Sequence, residues 1–242
     1  MGLKDKTALI TGGTKGIGRA ICIALAKEGC KIISFGRDLD YVENLKGDLN
    51  ALKIGAKYEI YCVDIMGDGG DSYIQAQGYG VDILINNIGG GGTWTDYEEV
   101  MQVNYSLMVQ FTDFVLNSML KNKWGRVITI SSLYGREPHN NPYFSAAKAA
   151  QIAYMKSMSK KKEYVKNEIT FNIICPGHIS CGYSYKKNKG TKEFKSMVSD
   201  LSMGRIGTPE DVANVVKFLC SKESSYINGS SINVDGGQSV GF

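Results

Sequence analysis

The sequence predicts one doubly wound α/β domain over residues 1–242, with a seven-stranded, mostly parallel sheet covered by helices on both faces. Three observations predict it. Short β-rich runs alternate with runs of helical period along the whole chain. The 29 glycines gather at strand ends, where tight strand-to-helix turns use them, and not in a low-complexity tract. No repeat, linker or composition break marks a second domain.

Residues 7–11 (TALIT) form the first strand, and 17–28 follow as a helix with Ile17, Ile21, Ala24 and Leu25 on one face. Residues 31–35 are the second strand, and 39–52 a helix carrying Leu45, Leu49 and Leu52 in register. Residues 58–63 and 81–85 are further strands, separated by a short or broken crossover at Met66-Gly67-Asp68-Gly69-Gly70-Asp71. A long helix is expected at 97–120, a strand at 126–130, a second long helix at 144–165 and a strand at 169–174. Residues 192–201 are helical, as are 209–221 behind the initiating Pro209, and 230–234 are the last strand. The basic, glycine-punctuated stretch 180–203 is expected to be a lid.

A net charge of +4 is too mild to imply nucleic acid, and no recognition motif accompanies it. No apolar run is long enough to span a bilayer, so no membrane partner is expected. The six cysteines show no C-x-x-C pair, which points to reduced thiols in a cytoplasmic protein.

The first strand ends in Thr11-Gly12-Gly13-Thr14-Lys15-Gly16-Ile17-Gly18, directly before a helix. Glycines there let backbone N–H groups approach a pyrophosphate at the helix N-terminus. Further landmarks follow in order: Asp64; Asn86-Asn87-Ile88-Gly89; Asn104; Ser131-Ser132; Lys148; Asn172; Pro176-Gly177; residues 204–211 (GRIGTPED); and Val234-Asp235-Gly236-Gly237. This series resembles the short-chain dehydrogenase/reductase family across nearly the whole chain. The resemblance implies a Rossmann-type sheet of order 3-2-1-4-5-6-7, a nicotinamide dinucleotide cofactor, a small-molecule substrate and a homo-oligomer, usually a tetramer and otherwise a dimer. It places Gly12, Thr14, Lys15, Gly16, Ile17 and Gly18 at the cofactor. It also places Asp64 and Ile65 along the adenine, and Asn87 to Gly89 under the adenosine ribose.

The second strand ends Gly36-Arg37-Asp38. A planar guanidinium at Arg37 suits a 2′-phosphate, and Lys15 adds a second positive charge. Asp38 is the opposing feature, since a carboxylate there can accept from a ribose hydroxyl. The balance favours NADP(H) over NAD(H).

The family's chemistry uses a tyrosine, a lysine four residues later, a serine and an asparagine. By resemblance Asn104 supports proton relay, Ser132 orients the substrate oxygen, and Lys148 holds the nicotinamide ribose and supplies charge. The tyrosine position holds Phe144, and Tyr143 stands one residue earlier. Helix positions four apart differ by about 40° and meet, whereas positions five apart differ by about 140° and do not. Asn141-Pro142 resembles a cap with proline in the first turn, which turns Tyr143 away; a later helix start lets it swing in. Tyr143 is the leading proton donor, with Tyr134, His139, His178 and Tyr183 as replacements. After the sixth strand, Pro176, Gly177 and Ile179 match the family segment that holds the nicotinamide carboxamide, with Cys181 where threonine is usual.

The reaction expected is interconversion of a secondary alcohol and a ketone on a small polar substrate. Lys186, Lys187, Lys189, Lys192 and Lys195 of the lid suggest that this substrate is anionic or sugar-like. Gly89-Gly90-Gly91-Gly92-Thr93-Trp94 forms a second wall of the cleft. The rival reading is a dinucleotide-binding regulator or assembly subunit without ordinary redox turnover, which Phe144 supports.

Overall fold

The strands β1 (Thr7–Ile10), β2 (Lys31–Gly36), β3 (Tyr58–Cys62), β4 (Ile83–Asn86), β5 (Gly125–Ile130), β6 (Ile169–Pro176) and β7 (Ser231–Val234) form one sheet. It has seven strands in the order β3-β2-β1-β4-β5-β6-β7, and every pairing is parallel. The structure, a computed structural model, describes residues 2–65, 80–90 and 96–239, without the side chains of 183 and 184. The expected crossover at Met66–Asp71, the loop from Gly91 to Trp94 and the Tyr183 side chain lie outside the described residues.

Strand side chains alternate between the two faces, so β1 contributes to two cores. Ile10 packs on one face with Ile21 and Leu25 of α1 (Gly16–Lys27), Leu45 and Leu49 of α2 (Leu39–Ala51), and Val216 and Leu219. Leu9 packs on the other face with Ile33, Leu84, Phe111, Met155 and Phe171. In register, Leu9 sits between Ile33 and Leu84. Each such aliphatic side chain, taken fully out of water, stabilises the fold by about 1.5–3 kcal/mol.

The long helix expected at 97–120 is three pieces: α3 (Tyr97–Met101), a π-helical turn (Gln102–Ser106) and α4 (Leu107–Asn122). Asn104 lies within the π-helical turn. Its side-chain Nδ2 donates to the Val100 carbonyl at 2.9 Å, a bond that competes with the regular helical ladder. The helix expected at 144–165 begins earlier and ends sooner, as α5 (Pro142–Met158), and a separate turn α6 (Lys162–Val165) follows. The break is pinned from outside. Asn228 Nδ2 donates to the Ser159 carbonyl at 2.9 Å, and a Cβ on Gly229 would meet Ser159 Oγ at 2.5 Å.

Within the expected lid, two helices form: α7 (Gly182–Asn188), which the glycine-punctuated sequence concealed, and α8 (Lys192–Asp200). The last helix, α9 (Pro209–Cys220), begins with a capping box. Thr208 Oγ1 accepts from the Asp211 N–H, and Asp211 accepts from the Thr208 N–H.

Candidate active site

The strand order reverses between β1 and β4, and the loops leaving their C-terminal ends open a cleft there. One wall is the glycine turn. Gly12 and Gly16 have φ of +64° and +55°, in the left-handed region that favours glycine. Gly18 is needed for contact rather than for dihedral freedom: a Cβ there would lie 2.5 Å from the Gly12 carbonyl and 2.6 Å from Asn87 Nδ2. Asn87 ties the two loops together, its Nδ2 donating to the carbonyls of Thr11 and Gly12 at 3.0 and 3.1 Å. Thr11 Oγ1 accepts from the Asn87 and Ile88 N–H groups. The side chain of Asn87 therefore fixes the turn, leaving its neighbours' backbone to line the cleft.

At the outer end of the cleft lies a basic edge. Lys15 Nζ stands 5.5 Å from the ring centre of Tyr41, in the first turn of α2. Arg37 lies 4.0 Å from the Asp64 carboxylate, with both side chains half-exposed. Asp38 is structural here, because its Oδ1 caps α2, accepting from the N–H groups of Asp40 and Tyr41. Thr14 is buried, and a Cβ on Gly36 would meet its Oγ1 at 2.2 Å, so it packs the turn against β2. Ile65 is buried among the apolar residues beneath this edge.

At the inner end, Asn104 is fully buried in the π-helical turn. Its Oδ1 accepts from the Gly90 N–H at 2.9 Å and its Nδ2 donates to the Gly90 carbonyl at 3.2 Å. Gly89, with φ of +148°, passes between the two inner polar groups: a Cβ there would lie 2.6 Å from Asn104 Oδ1 and 3.1 Å from Lys148 Nζ. Lys148 is buried on α5, its Nζ donating to the Ile130 carbonyl at 3.1 Å. Burial lowers its pKa to about 8, opposed by the neighbouring Cys175 thiol. Ser132 follows β5; its Oγ accepts from the Tyr134 N–H at 3.2 Å, so its own O–H is left to donate.

Tyr143 does not join this group. Asn141 Oδ1 accepts from the N–H groups of Tyr143 and Phe144, and Pro142 occupies the first turn, so the helix is under way before Tyr143. Tyr143 is 43% exposed, with its ring edge-on to Tyr97 at 5.6 Å. Phe144 is 7% exposed and its ring centre lies 5.7 Å from Lys148 Nζ. The expected leading donor thus points away for the helical reason stated above, and Phe144 fills its place.

Two of the replacement candidates, Tyr134 and His139, pack against that phenyl ring, and His178 reaches Tyr134. His139 lies 5.2 Å from Phe144 and 4.5 Å from Tyr134, and His178 lies 6.5 Å from Tyr134, all between ring centres. Burial raises the Tyr134 pKa and lowers that of His178, so each favours its neutral form. His139 Nδ1 accepts from the Asn141 N–H at 3.0 Å, which places the proton of the neutral ring on Nε2.

Pro176 closes β6, and Gly177 donates to the Val234 carbonyl at 3.1 Å. Ile179 bridges to Gly207, while Cys181 lies against the glycine turn, its Sγ 3.3 Å from where a Gly16 Cβ would stand. Burial raises the Cys181 pKa, opposed by a hydrogen bond with the Ile17 backbone. Gln151, buried beside Asn104, was not singled out from the sequence. Gln151 donates from Nε2 to the Asn104 carbonyl, and its Oε1 has no hydrogen-bond partner. The available signal was a polar side chain on the helix face shared by Phe144 and Lys148.

The cleft fits a dinucleotide. The turn between β1 and α1 has no room for Cβ atoms at Gly12 and Gly18, where only a bare backbone can sit. Among the described residues, the buried Lys148 ammonium has one acceptor, Ile130, for its three donors. A diol oxygen beside Gly89 would supply another. No group of three or more metal-ligating side chains, and no helix long and apolar enough to cross a membrane, occurs among the described residues.

Residues 6–192 match the short chain dehydrogenase family. The 3-oxoacyl-[acyl-carrier-protein] reductase of Buchnera aphidicola subsp. Schizaphis graminum is 32% identical over 245 residues, covering 98% of this chain and 98% of that protein. Among solved structures, a 3-oxoacyl (acyl-carrier-protein) reductase from Agrobacterium tumefaciens C58 with NADP bound superposes with a TM-score of 0.88. It has 26% identity and covers 98% of this chain and 95% of the other. YwfH, an NADPH dependent reductase involved in bacilysin biosynthesis, gives 0.86 at 29% identity and covers 99% and 100% of the two chains.

Proposed function

This chain belongs to the short-chain dehydrogenase/reductase family and is an NAD(P)-dependent oxidoreductase; from that premise we propose that it interconverts a secondary alcohol and a ketone with NADP(H) in preference to NAD(H). The substrate is a small polar molecule, anionic or sugar-like. The observation that carries the reading is the buried Lys148 ammonium, facing Gly89 beside Asn104, with donors to spare. Arg37 and Lys15 at the outer edge support the 2′-phosphate form, as does the engagement of Asp38 Oδ1 in helix capping. NADP in the Agrobacterium neighbour and NADPH dependence in YwfH accord with it.

Gly12, Thr14, Lys15, Gly16, Ile17 and Gly18 would hold the pyrophosphate half, and Arg37 the 2′-phosphate. Asp64, Ile65, Asn87 and Gly89 would line the adenosine, and Pro176, Gly177, Ile179 and Cys181 the nicotinamide. Bound there, the reduced nicotinamide supplies a hydride. Lys148 holds the ribose hydroxyls and Ser132 donates to the substrate oxygen. Asn104 holds the Gly90 backbone in place. We assign the proton delivered to that oxygen to Tyr134, whose ring packs beside Phe144 and His139 and which follows Ser132 by two residues. Tyr143 takes no part.

The lid lysines Lys186, Lys187, Lys189, Lys192 and Lys195 are exposed and favour an anionic substrate. The 3-oxoacyl group named for the reductase relatives is a carbonyl of the kind this reaction needs. One domain carries the whole site. Its free cysteines suit the reducing cytoplasm. Exposed Phe218 and Tyr226, together with the outer edge of β7, which ends the sheet among the described residues, favour a homo-oligomer, either a dimer or a tetramer.

The test is turnover of a ketone panel, from 3-oxoacyl thioesters to keto sugar acids, with NADPH and with NADH. Turnover that Lys148→Ala abolishes supports the enzyme reading. Tight cofactor binding with no turnover on any panel member would favour the binding-only reading to which Phe144 points.

A further inference from the structure

The segment after β6 crosses the cofactor cleft and meets its walls at both ends. At the inner end Cys181 rests on the glycine turn, in hydrogen-bonding contact with the Ile17 backbone. At the outer end Lys186 of α7 donates from Nζ to the Tyr41 hydroxyl at 3.1 Å. The same ammonium lies 5.6 Å from the Tyr41 ring centre, and the Lys15 ammonium lies 5.5 Å from it. Two cations from the glycine turn and the lid therefore share one phenol at the mouth of the adenosine end. Arg37, just before α2, stands at the same edge.

Two ammonium groups brought to one phenol repel one another, and an anion between them removes that penalty. A phosphate monoester carries about −1.5 to −2 charge at neutral pH. Because the Lys186 ammonium donates to the Tyr41 oxygen, the Tyr41 O–H is left to donate to such an anion.

On the reading that NADP(H) is the cofactor, we propose that Lys186 is a specificity-determining residue contributed by the lid. With Tyr41, it takes the 2′-phosphate of NADP(H) from above while Lys15 and Arg37 take it from below. The phosphate thereby fastens the lid, and NAD(H), which lacks it, does not. Cofactor choice and lid closure are one event in this arrangement.

The experiment is equilibrium titration of the purified full chain with NADPH and with NADH, followed by nicotinamide fluorescence, with limited trypsin digestion of the lid under each cofactor. Lys186→Ala is expected to weaken NADPH binding about 5- to 10-fold and to leave NADH within about twofold, the size of one solvated charge contact. Lys186→Glu should weaken NADPH further, and Tyr41→Phe should give part of the Lys186→Ala loss. NADPH, but not NADH, should slow cleavage after the lid lysines. Lys186 is exposed, so these variants are expected to fold. Equal affinity of wild type and Lys186→Glu for NADPH, or equal weakening toward both cofactors, overturns the role of Lys186 while a wild-type preference for NADPH stands. A wild-type chain that binds both cofactors equally instead overturns the NADP(H) reading, and this inference with it.

Discussion

The ring centre of Phe144 lies 5.7 Å from Lys148 Nζ, one helical turn away on the same face of α5. In this family that place carries a hydroxyl, whose proton the lysine charge makes easier to move. Here the neighbour is a phenyl ring. Phe144→Tyr would put the hydroxyl back without moving the helix, since the phenyl already occupies the pocket. Carbonyl reduction with NADPH is expected to rise about 10²-fold in kcat, the scale of one well-placed acid–base group. Tyr143→Phe should change kcat by less than about twofold, because Tyr143 lies outside acid–base reach of the site. A large loss in Tyr143→Phe would return the proton to that residue.

Lys148 gives a pH signature. Its value of about 8 in the folded chain lies below the ordinary 10.5. Below the folded value both states are protonated, and the cost of the buried charge is felt in full. Between the two values the unfolded chain binds more protons than the folded one, so this group's contribution to stability rises with pH. Urea unfolding of wild type and Lys148→Met should show the difference moving in favour of wild type from about pH 7.5 to about pH 10. A constant difference would place the lysine pKa at its usual value.

Asn104→Ala should remove the bonds to Val100, the Gly90 carbonyl and the Gly90 N–H. The expected loss is about 2–4 kcal/mol, because the freed groups stay buried. Asn104 also holds the Gly90 backbone at the cleft, so Asn104→Ala should also weaken dinucleotide binding. Denaturant midpoints and cofactor titration on the same samples separate the two effects.

Gly18→Ala places a methyl 2.5 Å from the Gly12 carbonyl and 2.6 Å from the Asn87 side chain, so the first turn of α1 must move away from the glycine turn. Overpacking of this kind costs about 1–3 kcal/mol. Cofactor affinity should fall more steeply than stability, because the displaced N–H groups are those that would face the pyrophosphate. Binding and unfolding that decline in step would argue that the turn is purely structural.

The alternation of strands and helices, the cover of helices on both faces and the glycine turn were legible in the sequence, because each depends on local pattern: short apolar runs such as residues 7–10, helical spacing through Ile21 and Leu25, glycines where strands end; the strand order came from the family resemblance. The helix-start signal at Asn141 and Pro142 was legible too, but it left a later start open, and it is the structure that turns the expected donor Tyr143 away. Non-local contacts were not legible. Asn104 of the π-helical turn meets Gly90, and Ser159 at the end of α5 meets Asn228, each pair brought together only by packing. Likewise His139 and Tyr134 of the β5–α5 connection meet Phe144, His178 of the loop after β6 reaches Tyr134, and Lys186 reaches Tyr41 across the cleft. Local spacing fixes which way a side chain leaves its own element; only the closing of the sheet and its loops decides what that side chain meets.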